Sequence, residues 1–434
     1  MPWGKVSGGS REWPFDADAT TESRKLWLVD EDGRVAYYPG DDDSRYDDWQ
    51  GAVEAALSDL KERPGSENSS GTIHLPHGTT IPLSSPVSTS DLWGSMVRGF
   101  GLVGDFGGEI QPGGDTHTYF DSTYSGPEYV VDLDGLGSAS RVEQLTFRGA
   151  DGDSNGVRLD SADAGELGNV AAFGFGGYGI HLDDIDDSFH SGFMTEGCGE
   201  GSNGGSYGIT GKGEYVAGIE SEANARGIEW SGGTIAGFEA EESTVGEGVF
   251  LRSNAGYLKD GQVDRNATWG IVTRPQANRL VVQDCTVRLN GQSGTGGGVL
   301  LKSRGIFRAV RFDEPNGPAI ATTDTAGPVF VDGNCTFANE DRFSISPDTV
   351  DAHQEGVGPE HLNCDFAVTP ESSPYRMAFD GHMSETPRVT CSLPIVSGLG
   401  FNDPDGDGYY ESVDVSLTET GEEVWFKTTP APFV

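Results

Sequence analysis

The chain has 434 residues, of which 69 are Asp or Glu and 28 are Lys or Arg, so its formal net charge is −41. This excess of acid argues against a nucleic-acid partner, because contacts to a phosphate backbone need clustered Lys and Arg. It is typical of proteins that stay soluble in concentrated salt, where repulsion between carboxylates is screened; a cation-storing or polyanion-mimicking surface is the alternative. No stretch approaches the ~18 apolar residues of a membrane span.

The N-terminal part is divided into two predicted segments. Residues 1–45 are charged and aromatic without a clear period, and we interpret them as an attachment segment. Their first ten residues lack the apolar region of a secretory signal, so an extracellular role would need another route of export. Residues 46–60 then carry apolar side chains at the 3, 4, 7 spacing of an amphipathic helix. We therefore predict that residues 46–69 form a capping helix and a linker that cover the open end of the next segment.

A short phrase, glycine followed by an apolar residue, recurs seven times in the middle of the chain. Its copies begin at Gly156, Gly179, Gly208, Gly227, Gly248, Gly270 and Gly298. The mean interval of about 24 residues is typical of repeat architectures. Alternation such as Val157 and Leu159 after the first glycine indicates short strands rather than helices. The pattern predicts an all-β solenoid over about residues 70–370, in which each coil pairs in parallel with the next.

The stretch after the predicted helix resembles the opening of a known family. Asp47-Asp48-Trp49-Gln50 is followed by Gly71-Thr72-Ile73-His74-Leu75-Pro76-His77-Gly78 and then by Val97-Arg98-Gly99-Phe100-Gly101. This order is similar to that of the pectate-lyase superfamily, and the same opening recurs in bacteriophage tailspikes. The resemblance covers residues 46 to about 340. It implies a right-handed parallel β-helix, but such a fold hosts many activities.

The resemblance also points to candidate catalytic residues. Polygalacturonase-like members of the superfamily use paired aspartates and a histidine motif on one face of the helix. The matching residues here are Asp183, Asp184, Asp187 and His190. The basic motif that follows in those enzymes is missing, and the arginine motif of pectate lyases has the wrong spacing at residues 274–279. A solvated acidic turn is therefore the alternative interpretation of these carboxylates.

Other side chains in the repeats have the chemistry of a saccharide site. Glycosidic cleavage needs two carboxyl groups about 5–10 Å apart, which adjacent coils about 4.8 Å apart can present. The further acidic candidates are Glu196, Glu220, Glu222, Glu229 and Glu239. Aromatic rings that can stack on sugars, or fill the core instead, are Tyr178, Tyr207, Tyr215, Trp230, Tyr257 and Trp269.

Residues 371–434 lack the repeat and are predicted to form a small β module. A run of alternating aspartates within it looks like the loop of calcium-binding modules such as EF-hands and dockerins. The oxygen ligands would come from Asp403, Asp405, Asp407, the carbonyl of Tyr409, Glu411 and Asp414. The last position is Asp rather than Glu, so an acidic turn without an ion is the alternative. Calcium is the cofactor that the sequence suggests.

Two functions from different classes are compatible with these features. The first is a spike, fibre or turret-type structural protein of a halophilic virus, assembled in the host cytoplasm and displayed on the virion, which binds a host glycan or surface-layer glycoprotein. The second is a polysaccharide lyase or glycoside hydrolase. We favour the first because both enzyme signatures are incomplete. The resemblance to tailspikes further implies a homotrimer, and the N-terminal segment is expected to contact other virion proteins.

Overall fold

The structure is a computed structural model, in which the described residues are nearly all β with one short helix near the N-terminus. The residues that the structure describes are 24–31, 34–38, 45–61, 71–76, 78–89, 100–104, 118–134, 136, 140–150, 152–160, 165–185, 190–201, 205–252, 255–275, 277, 279–323, 326, 329–332, 334–338, 343–344, 353–354, 366–368, 375–383, 388–391, 395–402, 410–417 and 424–429.

Two large sheets run along the solenoid. The first sheet consists of the strands Arg24–Glu31, Arg34–Tyr38, Arg45–Tyr46, Gly71–His74, Thr80–Leu83, Phe100–Val103, Tyr119–Ser122, Arg141–Arg148, Glu166–Phe173, His190–Glu196, Tyr215–Glu222, Thr234–Ala236, Glu239–Glu241, Ala255–Lys259, Gln262–Asp264, Arg279–Gln283, Thr286–Arg288, Gly305–Arg308, Arg311–Asp313, Val329–Val331, Thr336–Phe337 and His353–Gln354. The second sheet consists of Val87–Ser88, Tyr129–Leu133, Asn155–Asp160, Ile180–Ile185, Tyr207–Gly213, Arg226–Ser231, Val249–Leu251, Ile271–Thr273, Val299–Leu301, Ile320–Thr322 and Phe343–Ser344.

Successive strands of the second sheet pair in parallel, each with its copy one coil away. Val157 lies opposite Ile180, Ile180 opposite Ile209, and Ile228 opposite Val249. The predicted right-handed parallel β-helix is confirmed, with about nine turns. Its core is a column of inward-facing side chains, in which Phe147, Phe193 and Trp230 are fully buried.

The repeated glycines start the strands of the second sheet because the backbone of the next coil leaves no room for a side chain. A Cβ added to Gly156 would lie 2.3 Å from the carbonyl oxygen of Gly179, and one added to Gly227 would lie 2.1 Å from that of Gly248. Glycine is therefore required at these positions by the close approach of adjacent coils. It marks a packing constraint and carries no information about chemistry.

The first sheet bends where its strands pass through a residue with positive φ. Gln144 and Asn169 have φ of 59° and 53°, and Gly192 and Gly218 occupy the same place in the next two coils. The bend divides the first sheet into two faces, so that each coil has three sides with the second sheet as the third. Another positive-φ residue, such as Ala223 or Arg265, ends the second side.

A stack of buried polar side chains follows that second turn in the later coils. Asn224, Asn266 and Asn290 are fully buried. The Nδ2 atom of Asn266 donates to Oδ1 of Asn290 over 2.8 Å, and Nδ2 of Asn290 donates to Oε1 of Glu314 over 2.7 Å. Because buried amides need partners, the stack satisfies backbone and side-chain groups of successive coils together.

Both ends of the solenoid carry additional structure. The predicted capping helix is confirmed as Trp49–Lys61, and its Ala52, Val53, Ala56 and Leu57 are buried against the first coils. Parallel pairing begins upstream of it, since Arg24–Trp27 pairs with Gly71–His74. The predicted C-terminal β module is confirmed as antiparallel strands, which are Phe366–Val368, Tyr375–Met383, Arg388–Cys391, Ile395–Asn402, Tyr410–Leu417 and Val424–Thr429. Among the described residues, no helix has the length and hydropathy to cross a membrane.

Candidate functional site

The outer face of the second sheet carries a row of polar side chains in register. Arg158 lies opposite Asp132 on one side and His181 on the other, and the row continues with Thr210 and Glu229. These side chains point away from the core, because their neighbours Val157, Leu159, Ile180 and Leu182 are fully buried on the inner face. Five coils thus present five polar groups about 4.8 Å apart in one line.

Tyr129 and His181 form the centre of this face. The Tyr129 hydroxyl and His181 Nδ1 are 2.7 Å apart, and the Tyr178 ring lies 6.3 Å from the imidazole ring. Burial lowers the pKa of His181, although the nearby Asp183 partly offsets this effect. Burial, reinforced by Tyr178, raises the pKa of Tyr129. Both shifts favour the uncharged forms, so a neutral hydroxyl and a neutral imidazole are joined by this hydrogen bond.

Arg158 lies beside this pair and is held between two carboxylates. Its guanidinium forms an ion pair with Asp160 and a longer one, at 3.8 Å, with Asp132. The three side chains are one-quarter exposed or less. The two carboxylates hold the guanidinium against the sheet, next to His181 in the polar row.

Asp183 and Asp184 lie at a break in the register of this sheet. The pairing shifts between Leu182 and Ile185, and Asp184 has a φ of 49°. A bulge of this kind turns side chains that would otherwise alternate across the sheet. It leaves Asp183 half-buried near His181, while Asp184 is exposed and forms an ion pair with Lys212.

Glu229 ends the polar row in an enclosed position. It is 2% exposed although it lies on the outer face, because neighbouring side chains cover it. Thr210 Oγ1 donates to its Oε2 over 3.0 Å, and Arg252 Nε lies 2.5 Å from its Oε1. A buried carboxylate needs such partners. Glu229 is thereby placed as a structural anchor of the face rather than as an accessible acid.

The predicted catalytic residues are not all brought together. Asp183 and Asp184 lie on the outer face, whereas His190 is fully buried in the core between Leu167 and Val216. Burial lowers the pKa of His190 to about 4, so this imidazole is neutral and enclosed. Asp187 lies outside the described residues.

Apart from Glu229, the other acidic candidates lie on the second side of the coil. Glu196 lies opposite Glu222, Glu222 opposite Glu241, and Glu220 opposite Glu239. Burial and the neighbouring Glu222 raise the pKa of Glu196. Pairs of carboxyl groups on adjacent coils are thus present, as the sequence predicted, but they lie on a different side from Tyr129 and His181.

The aromatic residues that the sequence suggested for stacking on sugars are divided between the core and the surface. Trp230 is fully buried in the core, while Tyr178, Tyr215, Tyr257 and Trp269 are half-buried. Tyr207 is 5% exposed, because its hydroxyl donates to Glu247 and its ring stacks on Phe250 at 6.0 Å.

The predicted calcium loop is only partly described. Asp403, Asp405, Asp407 and Tyr409 lie outside the described residues, as does the side chain of Glu411. Asp414 is described, and its two carboxylate oxygens accept hydrogen bonds from Arg376 over 2.8 and 2.9 Å. Within the described part of the chain, no group of three or more His, Cys, Asp or Glu residues has the arrangement of a metal site.

Sequence reasoning missed Tyr129, Arg158 and His181. Two of them could have been found, since the residue two places after each repeated glycine points outward. At that place the successive coils carry Arg158, His181, Thr210, Glu229, Phe250, Val272 and Leu300. These residues are polar in the first four coils and apolar in the last three. This change can be read from the sequence once the repeat is aligned.

Comparisons with known proteins give a structural likeness only. The chain matches no protein-family model and no curated protein sequence. Among solved structures it is similar to ORF18 of Geobacillus virus E2, at 11% identity over 88% of this chain and 76% of that one, with a TM-score of 0.45. It is similar to the A-module of the Azotobacter vinelandii mannuronan C-5 epimerase, at 14% identity, 70% and 95% coverage and a TM-score of 0.46. It is also similar to the Dettilon tailspike protein, at 10% identity, 87% and 90% coverage and a TM-score of 0.39. Similarities of this size carry no information about function.

Proposed function

We propose that this protein is a spike or fibre of a halophilic virus, and that it binds a glycan or surface-layer glycoprotein of the host cell. The observation that carries the proposal is the polar and aromatic row on the outer face of the second sheet. Tyr129, Tyr178 and His181 stand side by side there on a rigid sheet. Half-buried rings with polar tips suit a sugar, which offers apolar C–H faces and hydroxyl groups at once.

The virion location is supported by two features of the sequence. The helix and strand order at residues 46–101 resembles the opening of tailspikes, and the acidic surface suits concentrated salt. A shaft of stacked coils that ends in a separate β module fits a protein that projects from a particle. The same resemblance supports a homotrimer, which mass measurement in high salt would test; a stable monomer at micromolar concentration would contradict it.

Adsorption to cells tests the attachment proposal. The labelled full-length protein is mixed with a panel of halophilic microorganisms in concentrated salt, and the bound fraction is measured. We expect His181→Ala and Tyr178→Ala to lower adsorption on the order of tenfold, since each removes one contact worth about 1–2 kcal/mol. Thr286→Ala, on another side of the coil, is the matched control. Adsorption that is unchanged in both variants would remove the polar row from the proposal.

A polysaccharide lyase or glycoside hydrolase is the second candidate, and a specific observation favours it. The neutral imidazole of His181 lies within hydrogen-bonding distance of Tyr129 on the outer face, and a neutral imidazole can accept the proton that elimination and hydrolysis both remove. Release of oligosaccharides from purified host glycan measures this activity. If Asp184→Asn or His181→Ala abolishes cleavage and infection while adsorption persists, the enzyme function replaces simple attachment.

Calcium at the C-terminal loop is part of the same proposal. A divalent ion held by Asp403, Asp405 and Asp407 would offset the repulsion between these carboxylates and stabilise the module by mass action. Replacing Asp405 and Asp407 by Asn should lower the melting temperature of the module and host adsorption, and leave the solenoid unchanged. Equal melting curves of the wild type with calcium and with a chelator would contradict the ion site.

A further inference from the structure

One edge of the solenoid is positively charged, although the chain as a whole is strongly negative. It is formed where each coil leaves the second sheet, turns, and enters the first sheet. The three coils that contribute residues 249–259, 271–283 and 299–308 contain seven Lys or Arg there and no Asp or Glu. At the average frequency of the chain, 69 acidic residues in 434, about five would be expected. We call these three segments the basic edge.

The cations of the basic edge are stacked in two lines. Leu251 lies opposite Thr273, and Val272 opposite Leu300, so the next positions bring Arg252, Arg274 and Lys302 into one line. On the other side of the turn, Leu280 lies opposite Gly305, which places Arg279 beside Arg304. Like charges placed directly opposite each other on adjacent strands destabilise a sheet. The fold therefore maintains a costly arrangement at this edge.

Several of these cations are not neutralised by the chain itself. Arg252 pairs with the buried Glu229, but Arg274, Arg279 and Lys302 form no ion pair with any described residue. Arg274 and Arg279 are exposed. In a chain with 69 acidic residues, three cations that have no carboxylate partner among the described residues are available for an external anion.

Aromatic and aliphatic side chains border both lines of cations. Phe250, Val272 and Leu300 form a row on the second sheet, and Tyr257, Val281 and Ile306 form a row on the first. The guanidinium of Arg274 lies over the Phe250 ring, 5.1 Å from its centroid. Guanidinium groups bind carboxylates and sulfates through paired hydrogen bonds, and rings pack on the C–H faces of sugars.

We propose that the basic edge binds a linear anionic glycan, with carboxylate or sulfate groups, which runs along the solenoid across three coils. This names the class of glycan and rests on the proposed function. The ligand offsets repulsion within each stack, so binding also stabilises the fold. The rings of Phe250 and Tyr257 in the first of these coils favour a sugar polymer over the acidic surface of a second copy, which offers carboxylates but no C–H face.

Titration with three soluble polymers tests the proposal. Full-length protein is titrated with alginate oligomers, which are carboxylated, with dextran sulfate, and with neutral dextran, at about 1 M salt, where the Debye length is about 3 Å. We expect at least one anionic polymer to bind and to raise the melting temperature, and neutral dextran to do neither. The variant with Arg274→Gln, Arg279→Gln and Lys302→Gln should bind it on the order of tenfold or more weakly. Arg311→Gln, an exposed cation on another side of the coil, is the control.

The outcomes separate this inference from the attachment proposal. Equal binding by the triple variant and the wild type, or no binding of either anionic polymer, overturns the basic edge even if the protein adsorbs to cells. Binding that the triple variant loses, in a protein that adsorbs to no cell, supports the edge and contradicts host attachment. A triple variant that dissociates from oligomer to monomer, with no polymer bound by the wild type, would assign the edge to a subunit contact and overturn the proposal.

Discussion

The same edge of the solenoid has opposite character in its earlier and later coils. In the earlier coils, residues 155–168, 180–191 and 207–217 include eight acidic and two basic residues. In the later coils, the equivalent residues 249–259, 271–283 and 299–308 include no acidic residue and seven basic ones. The parallel pairing and the apolar inward-facing side chains of the second sheet are alike in both regions, although its strands are longer in the earlier coils. The comparison shows that the backbone repeat and the surface chemistry vary independently, because only the inward residues are constrained by the neighbouring coil.

The side chains inside the second turn also change along the solenoid, beginning in the coil that contains residues 207–217. This position is filled by the apolar side chains of Phe175 and Cys198 in two successive coils, and by polar side chains from residue 224 onward, namely Asn224, Ser243, Asn266, Asn290 and Glu314. An apolar side chain needs only volume there, whereas an amide needs partners in both neighbouring coils. From Asn224 onward the side chains at this position form hydrogen bonds to neighbouring coils, whereas Phe175 has no polar side-chain atom and Cys198 contributes only an Sγ contact of 3.6 Å to the Ala172 carbonyl oxygen.

Gly227→Ala lies at the boundary between the two regions and should have the largest effect on stability. Its Cβ would lie 2.1 Å from the Gly248 carbonyl oxygen, so the coils must separate locally. We expect a loss of about 2–3 kcal/mol in the free energy of unfolding, measured by denaturant titration in concentrated salt. Gly400→Ala is the control, because its Cβ would make only ordinary contacts at 3.7 Å. Equal stability of the two variants would show that the coils adjust at no cost.

Glu314→Gln tests the polar stack of the later coils. Burial raises the pKa of Glu314 from 4.5 to about 7. A raised pKa means that the folded state holds the proton more tightly, so this contribution to stability is complete below pH 4.5 and is lost as the pH rises through about 7. The wild type should lose at most about 3 kcal/mol across that range, and Glu314→Gln should lose less. Identical pH profiles of the two proteins would contradict the shifted pKa.

Tyr129→Phe tests the polar row of the earlier coils. It removes one half-buried hydrogen bond, to His181, and should lower the free energy of unfolding by about 1 kcal/mol. Adsorption or glycan cleavage should fall more than stability does, since the hydroxyl belongs to the candidate site. A change in stability without any change in function would reduce the pair to a structural contact.

Lys212→Ala should have the smallest effect. Lys212 and Asp184 are both more than half exposed, and an exposed ion pair contributes less than about 1 kcal/mol. The difference from the wild type should disappear as salt is raised, because the pair is screened. A larger loss would mean that the pair holds the bulge at Asp184, and thereby shapes the face around His181.

The repeated part of the fold was predictable, and the candidate site was predictable only in part. The glycine phrases, the alternation after them and the helix spacing at residues 46–60 led to the solenoid and its cap, because these patterns arise from local geometry. Asp183 and Asp184 were identified as a pair, and the structure places them on the outer face. His190 lies in the core instead, since its strand begins there with an inward residue that a single sequence does not reveal.

By itself, the sequence determined the parallel solenoid, its approximate period, its capping helix and its acidic composition, because each follows from spacing or residue counts. Tertiary structure alone decided which distant residues became neighbours. Register brought Tyr129 to His181 across 52 residues, and it stacked Arg252, Arg274 and Lys302 along one edge. Because the loops between strands differ in length, the sequence spacing does not show which residues are aligned. The pairing of strands determines that alignment.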